Sequence, residues 1–434
     1  MLGAIMAPSC NGGSMGARVV IVDPSYGSEV GHHHELNGAL LGALKAAGWQ
    51  PEVWADVGAP GSLVVRGVCQ GSGYLDPRHW ADLPGTLHLA SRLRRQLQAA
   101  VAEDASAQLA PPLAWLAHGL LPFQLIALAQ LLQEQPPAQV LLSLMFAPQE
   151  ILGGVAGMDS QRLRNQAGLS ARTAIQALAQ ACQRAGHGLV VGASSLQTLE
   201  LYRPLLIAAG LPEGCLHPAV MGAGCEPSLA DEAAKPRVLL HWGDLKPDKG
   251  CREAMAVVAA LLRRPQPTPV AFDLLFHGFS GELMPEDEEA LLQTGARQLG
   301  PSFCLLRHRV SSAEMQQHLA ACDLALLAYD PITYAERSSG VLWCYGAARY
   351  GAGLPAAALG YGGHWLEREA LALGLSWSVA PPQATAEDGD AWLAAIENCL
   401  SLQAEPAYAT WTGHGQQVLG SSFARWVLGR LPKF

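Results

Sequence analysis

The sequence predicts an α/β chain of two consecutive open sheets, each mainly parallel and covered by helices on both faces. Three observations carry that expectation. Short apolar runs alternate with helix-length segments of about ten residues or more, the pattern of parallel strands joined by crossover helices. At 434 residues the chain is too long for one core, so two domains are expected. The alternation also stops in a polar, Pro-containing stretch, Pro218 to Pro236, and restarts at Arg237.

The first strand is Ala17–Asp23, after residues 1–16, a lead-in rich in Gly, Ser and Asn that is expected to be disordered. A loop holding Gly27 and Gly31 leads into a helix from His32 to Gly48. Leu36, Leu40, Leu41 and Leu44 mark one face of it and Gly48 terminates it. Pro51–Ala55 is the second strand. Helices over about 89–101, 121–133, 166–185 and 195–208 then alternate with strands at Leu113–Ala117, Val140–Met145 and Gly188–Gly192.

Val238–Leu240 opens the second series as a short buried strand. After a polar loop, Ala254, Met255, Val258, Ala259 and Leu262 recur at helical spacing. Further strands are expected at Phe272–Gly278, Phe303–Leu306, Asp323–Ala328 and Leu354–Leu359. Helices fill about 285–298, run from the capping box Ser311–Glu314 to about Cys322, and start again near Gly340. The domains are therefore placed at 17–220 and 237–410, with 221–236 as linker. Residues 411–434 form a C-terminal helix packing back toward the N-terminal domain.

Composition excludes several classes. Half of the residues are hydrophobic and 15% are charged, as in a well-packed soluble protein, and the net charge of −9 argues against nucleic acid as a partner. Arg92, Arg94 and Arg95 form a local basic cluster, which is either a solvated helix face or a peripheral contact with an anionic membrane. Ten cysteines without a Cys-x-x-Cys pair read as reduced thiols of a cytoplasmic protein, not as disulfides or a zinc site. No signal peptide and no run of about twenty apolar residues is found. No Gly-x-Ser-x-Gly elbow, Walker loop or H-E-x-x-H motif supports a hydrolase or NTPase, and no G-x-G-x-x-G follows the first strand.

The loop Trp242–Gly250, WGDLKPDKG, follows a strand and precedes a helix. In an open α/β sheet that junction offers unpaired N–H groups and the positive end of a helix dipole. Lys246 and Lys249 make it a candidate site for an anion, most plausibly phosphate; otherwise it is an ordinary loop with solvated lysines.

The two sheet-forming halves, the glycine loop at Gly27 and the lysine loop resemble the GT-B glycosyltransferases, in particular the retaining, nucleotide-sugar-dependent family 4. Gly243-Asp244-Leu245-Lys246-Pro247-Asp248-Lys249-Gly250 is similar to the family's G-R-L-x-x-x-K-G loop. Leu274–Gly278 is similar to its strand ending in a glycine turn, and Val310–Met315 with Ala321–Leu327 to its next helix and strand. The resemblance implies two Rossmann-like domains facing each other across a cleft, acceptor mainly on the first and donor mainly on the second. It also implies sugar transfer without a metal or other cofactor. The acceptor would be a glycan, a lipid-linked sugar or a small molecule. Lys249 would stabilise the departing diphosphate and Glu336 would contact the donor sugar. Gly243, Gly250, His277, Ser338, Ser339, Gly340 and Val341 would line the donor. Two positions depart from the pattern. Asp244 stands where the family has arginine, with Lys246 nearby as a substitute cation. Cys344 stands where the second glutamate of E-x7-E bonds the donor ribose. Those departures keep open a GT-B-shaped binding protein with a degenerate donor site, and, less strongly, a sugar-nucleotide epimerase.

His118 closes an expected strand, where such sheets present active-site residues, and is either a substrate contact or a satisfied strand-end histidine. His32-His33-His34 invites a metal reading, but successive helical residues point about 100° apart and cannot all ligate one ion. His32, at the helix start, is the one expected to face the cleft. Gly27 and Gly31 either bring backbone close to a ligand or only make a turn.

Overall fold

The computed structural model describes residues 17–28, 32–73, 82–145, 160–217, 235–265, 271–279, 285–335, 337–381, 384–402 and 420–433. The residues 1–16, most of the expected linker, Gly31, Glu336 and the start of the C-terminal tail lie outside them. The chain forms two units, Met1–His217 with Phe423–Phe434, and Pro218–Ser422.

In the first unit the elements run β1 (Arg18–Asp23), α1 (His32–Ala46), β2 (Gln50–Asp56), β3 (Val65–Cys69), α2 (Leu83–Ser106), β4 (Ala114–His118), α3 (Pro122–Leu132), β5 (Gln139–Leu144), α4 (Ser160–Ala185), β6 (Gly188–Ala193), α5 (Leu196–Ala208) and β7 (Cys215–Leu216). The seven strands pair in parallel in the order β3-β2-β1-β4-β5-β6-β7. The chain starts in the middle, moves to one edge and then crosses to the other side of β1, so the order reverses between β1 and β4. Val20, Val22, Trp54 and Trp115 pack with Phe123, Leu128 and Ile175 on one face. The Trp54 and Trp115 rings meet edge to face at 5.4 Å, an arrangement that adds to their area burial.

The second unit runs β8 (Arg237–Gly243), α6 (Cys251–Arg263), β9 (Asp273–Gly278), α7 (Glu286–Leu299), β10 (Phe303–Leu306), α8 (Ser312–Ala320), β11 (Leu324–Leu326), α9 (Gly340–Gly351), β12 (Ala357–Gly360), α10 (Trp365–Ala372), β13 (Ser376–Val379) and α11 (Gly389–Leu402). Its six strands repeat the same plan, β10-β9-β8-β11-β12-β13. Alternate residues of β8 serve opposite faces. Val238 and Leu240 join Val258, Leu292 and Trp392, while Leu239 joins Leu319, Leu342 and Tyr345. That double burial explains the continuous apolar runs of the central strands.

The last helix, α12 (Gly420–Leu428), belongs from Phe423 onward to the first unit. His217, just past β7, lies 4.9 Å from both the Phe423 and Trp426 rings, and its Nε2 pairs with the Ser143 hydroxyl at 2.9 Å. Among the described residues no helix is long and apolar enough to cross a membrane. Arg92 and Arg94 bond to the Gln70 carbonyl and to Glu134, and Arg95 to the Ser91 hydroxyl. The eight described cysteines are unbridged. Removing the buried indole should unseat α12: Trp426→Ala is expected to cost about 3–5 kcal/mol, seen as a lower melting temperature by calorimetry.

Candidate functional site

Each sheet reverses its strand order beside its first strand, and an open α/β sheet binds ligands beyond the carboxyl ends of its strands at that point. The lysine loop occupies this position in the second unit. Gly243 ends β8 with φ of 104°, and Gly250 opens α6 with φ of 73°. A Cβ on Gly250 would lie 2.9 Å from the Ala328 carbonyl oxygen. A side chain there is excluded by backbone conformation and by backbone contact alike. The loop is further pinned where the Asp330 N–H donates to the Asp248 carbonyl at 3.0 Å.

This pinning brings three cations together. Asp244 lies 3.3 Å from Lys246 Nζ and 3.9 Å from Lys249 Nζ. Arg337, just before α9, approaches Asp248 at 3.9 Å and stacks over the Tyr334 ring at 5.2 Å. Burial, together with the charges of Lys246 and Arg337, lowers the Lys249 pKa against the opposing pull of Asp244. A cation held down by its cationic neighbours gains when an anion arrives. Arg337 had no place in the sequence-based expectation. Its charge reaches Lys249 from the loop before α9.

Ser339 caps α9, its hydroxyl accepting from the Leu342 N–H at 3.3 Å. The N–H groups of Gly340 and Val341, at the first two helical positions, have no intrahelical partner. Ser338 is held from behind: its hydroxyl donates to Glu369 Oε2 at 2.6 Å, and Trp343 Nε1 donates to Oε1 at 3.0 Å. Glu369 comes from α10 and its carboxyl lies beside the start of α9. Cys344 is buried on the same helix. His277 serves the frame, accepting from the Gly243 N–H at 3.3 Å through Nδ1 and donating from Nε2 to the His308 carbonyl at 3.0 Å. Buried His241 donates to the Asp244 carbonyl at 3.3 Å, and burial with the Lys249 charge lowers it to about 4.

The equivalent point of the first unit carries a buried polar cluster. Asp23 ends β1 and His118 ends β4, neighbouring strands on either side of the order reversal. His33 Nδ1–H donates to Asp23 Oδ2 at 2.8 Å, and Asn37, one helical turn on, donates to the same oxygen at 2.7 Å. His118 Nε2 lies 3.0 Å from Asn37 Oδ1 and 3.6 Å from Asp23 Oδ2. Burial pushes the Asp23 carboxyl up, but the His33 and His118 charges and the bonds from His33 and Asn37 outweigh it and hold it at about 2. Burial pulls His118 down to about 4 against the Asp23 charge. Above that pH His118 is neutral, so the carboxylate then relies on His33 and Asn37.

His33 is a member of the triplet that meets His118, the ring centroids 5.8 Å apart. His34 turns aside to pair with the Tyr26 hydroxyl at 2.8 Å, as the helical step of about 100° requires. Nothing is described of the His32 side chain, while Gly27 is exposed. The i, i+4 spacing of His33 and Asn37 was the available signal for this cluster. One carboxylate and two imidazoles also form a set able to hold a metal ion, their ligand atoms all within 4.8 Å of one another.

Burial raises Glu369 to about 7, with the bonds from Ser338 and Trp343 opposing it. The folded chain thus keeps a proton that the unfolded chain releases near 4.5, so this group's stabilisation is complete below about pH 4.5 and is lost as the pH rises through about 7. The melting temperature of the wild type relative to Glu369→Gln should fall between about pH 5 and pH 8. A difference that stays flat over that range would show that Glu369 carries no such proton.

No family model matches the chain, and no curated protein matches its sequence. Solved structures do match over nearly its whole length. Sucrose-phosphate synthase from Thermosynechococcus elongatus has a TM-score of 0.58 at 18% identity, covering 95% of this chain and 98% of that one. The UDP-forming α,α-trehalose-phosphate synthase from Burkholderia xenovorans, in complex with glucose-6-phosphate, gives 0.58 at 12% identity, with 95% and 99% covered. A trehalose-6-phosphate synthase studied for glycosyltransfer with retention gives 0.55 at 13% identity, with 95% and 98% covered. The fold of this chain is theirs: GT-B, built from two Rossmann-like α/β domains.

Proposed function

We infer that the protein is a glycosyltransferase that moves a sugar from a nucleoside-diphosphate donor to a small sugar or sugar-phosphate acceptor, with retention. The observation that carries this reading is the cluster of Lys249, Lys246 and Arg337 beside the start of α9, at the carboxyl end of β8. A departing diphosphate needs cations and helix-end N–H groups aimed at its charge, and this junction offers both without a metal ion. Lys249 and Arg337 bind the diphosphate, and Lys246 adds charge at the rim. The N–H groups of Gly340 and Val341 cap its oxygens. Glu336 contacts the donor sugar, as the resemblance implies. The protein acts in the cytoplasm, where its unbridged cysteines stay reduced.

In the transfer, the bond from the anomeric carbon to the diphosphate oxygen breaks while the acceptor oxygen bonds to that carbon on the same face. The acceptor proton passes to the departing phosphate oxygen. Support for the donor and acceptor classes comes from the UDP-forming synthase with glucose-6-phosphate, and support for retention from the retaining synthase.

A thermal-shift panel of UDP, GDP, ADP and CMP and their sugars tests the reading, since a ligand that binds only the native state raises its melting temperature. One nucleotide should stabilise the wild type and not Lys249→Ala, and silence at saturating concentration would overturn the reading. In a product assay, Lys249→Ala should lower kcat/KM by about a hundredfold or more, and Arg337→Ala by roughly tenfold. Asp244→Asn, which releases both lysines, should tighten nucleoside-diphosphate binding several-fold by titration calorimetry. Weakened binding would mean that Asp244 positions the lysines more than it neutralises them.

A further inference from the structure

We propose that the first unit binds one divalent ion of the zinc class through Asp23, His33 and His118. The lysine loop plays no part in this site, and the proposal stands independently of the transferase reading. The three ligands come from the end of β1, the first turn of α1 and the end of β4, so the sheet's strand order itself assembles them. Ligand atoms bonded to zinc at about 2.0–2.1 Å in a tetrahedral shell lie roughly 3.3 Å apart. Here Asp23 Oδ2 lies 2.8 Å from His33 Nδ1 and 3.6 Å from His118 Nε2, and all three atoms fall within 4.8 Å. The two separations to Asp23 Oδ2 bracket that value, and closing the imidazole pair onto a shared ion completes the shell.

The polar groups around the triad point the same way. Asp23 Oδ1 and His118 Nδ1 are buried and have no hydrogen-bond partner among the described residues, which is costly for groups of this kind. A cation on the carboxylate compensates the buried negative charge. Asn37 keeps its bond to Asp23 Oδ2 and orients that ligand from outside the shell. With His118 Nε2 on the ion, the ring proton moves to Nδ1. No partner among the described residues competes for that nitrogen. His33 likewise ligates through Nδ1 with its ring proton on Nε2. Three protein ligands leave the fourth coordination position open to water or a substrate oxygen.

The test uses the full, tag-free chain stripped with EDTA. Titration calorimetry with Zn²⁺, and the visible absorption of Co²⁺ as a spectroscopic probe, should show one site per chain. Zn²⁺ should raise the melting temperature of the wild type. His33→Ala and Asp23→Asn should each weaken Zn²⁺ binding by at least tenfold, and Asn37→Ala by a smaller factor, with far-UV circular dichroism confirming that each variant is folded. Absence of a stoichiometric site in the wild type would overturn the proposal. So would Zn²⁺ affinity and a Co²⁺ spectrum unchanged in folded His33→Ala, which would place the ion on other histidines.

Discussion

Both halves of this chain depend on one constraint, the reversal of strand order beside the first strand of each sheet. Parallel strands whose crossovers lead outward in both directions leave the loops after β1 and β4, and after β8 and β11, on the same edge without a covering helix between them. Everything chemically distinctive sits at these two points. Asp23 and His118 end the two strands of the first, while the lysine loop and the segment from Ala328 to Ser339 follow the two strands of the second. Distant residues meet there because the topology brings strand ends together, whatever their separation along the chain.

The second junction shows how a charged site tolerates substitution. Asp244 holds a position where an arginine would add a cation, and it places a carboxylate against two lysines instead. Arg337, from the loop before α9, adds a further positive charge that acts on Lys249. Glu369 comes from α10, a helix for which the sequence analysis placed no element. A cationic junction assembled from loops depends on its total charge and its set of directed N–H groups more than on any one residue at one register.

That distinction separates what could be read in the sequence from what could not. The central strands were legible because burial on both faces writes them as continuous apolar runs, as in Val238–Leu240. The edge strands β3, β7 and β13 were not, since VRGVC and SWSV are half-exposed and β7 is two residues long. α2 begins near Asp82, whose side chain caps it with Pro84 in the first turn, and not near residue 89, because capping and proline chemistry fixed the start before the apolar stripe began. The lysine loop was legible because its cations and glycines are contiguous. The Asp23–His33–Asn37–His118 cluster was not: Asn37 and His118 stand 81 positions apart, and only the sheet order makes them neighbours.

The two buried carboxylates define opposite answers to one problem. Asp23 and Glu369 are both about 1% exposed, yet the first is held at about 2 and the second at about 7. Burial alone raises any carboxyl, so the difference lies in the partners. Asp23 faces two imidazoles and an amide donor, groups that favour its charge. Glu369 faces one hydroxyl and one indole N–H, which hydrogen-bond it without neutralising it. The first is therefore a standing anion that attracts positive charge into the core. The second becomes an anion only near neutrality, directly behind the helix start where a diphosphate would be held. Negative charge arriving there weakens the field of that helix end, so the electrostatics of the α9 start depend on the protonation of a carboxyl bonded to Ser338.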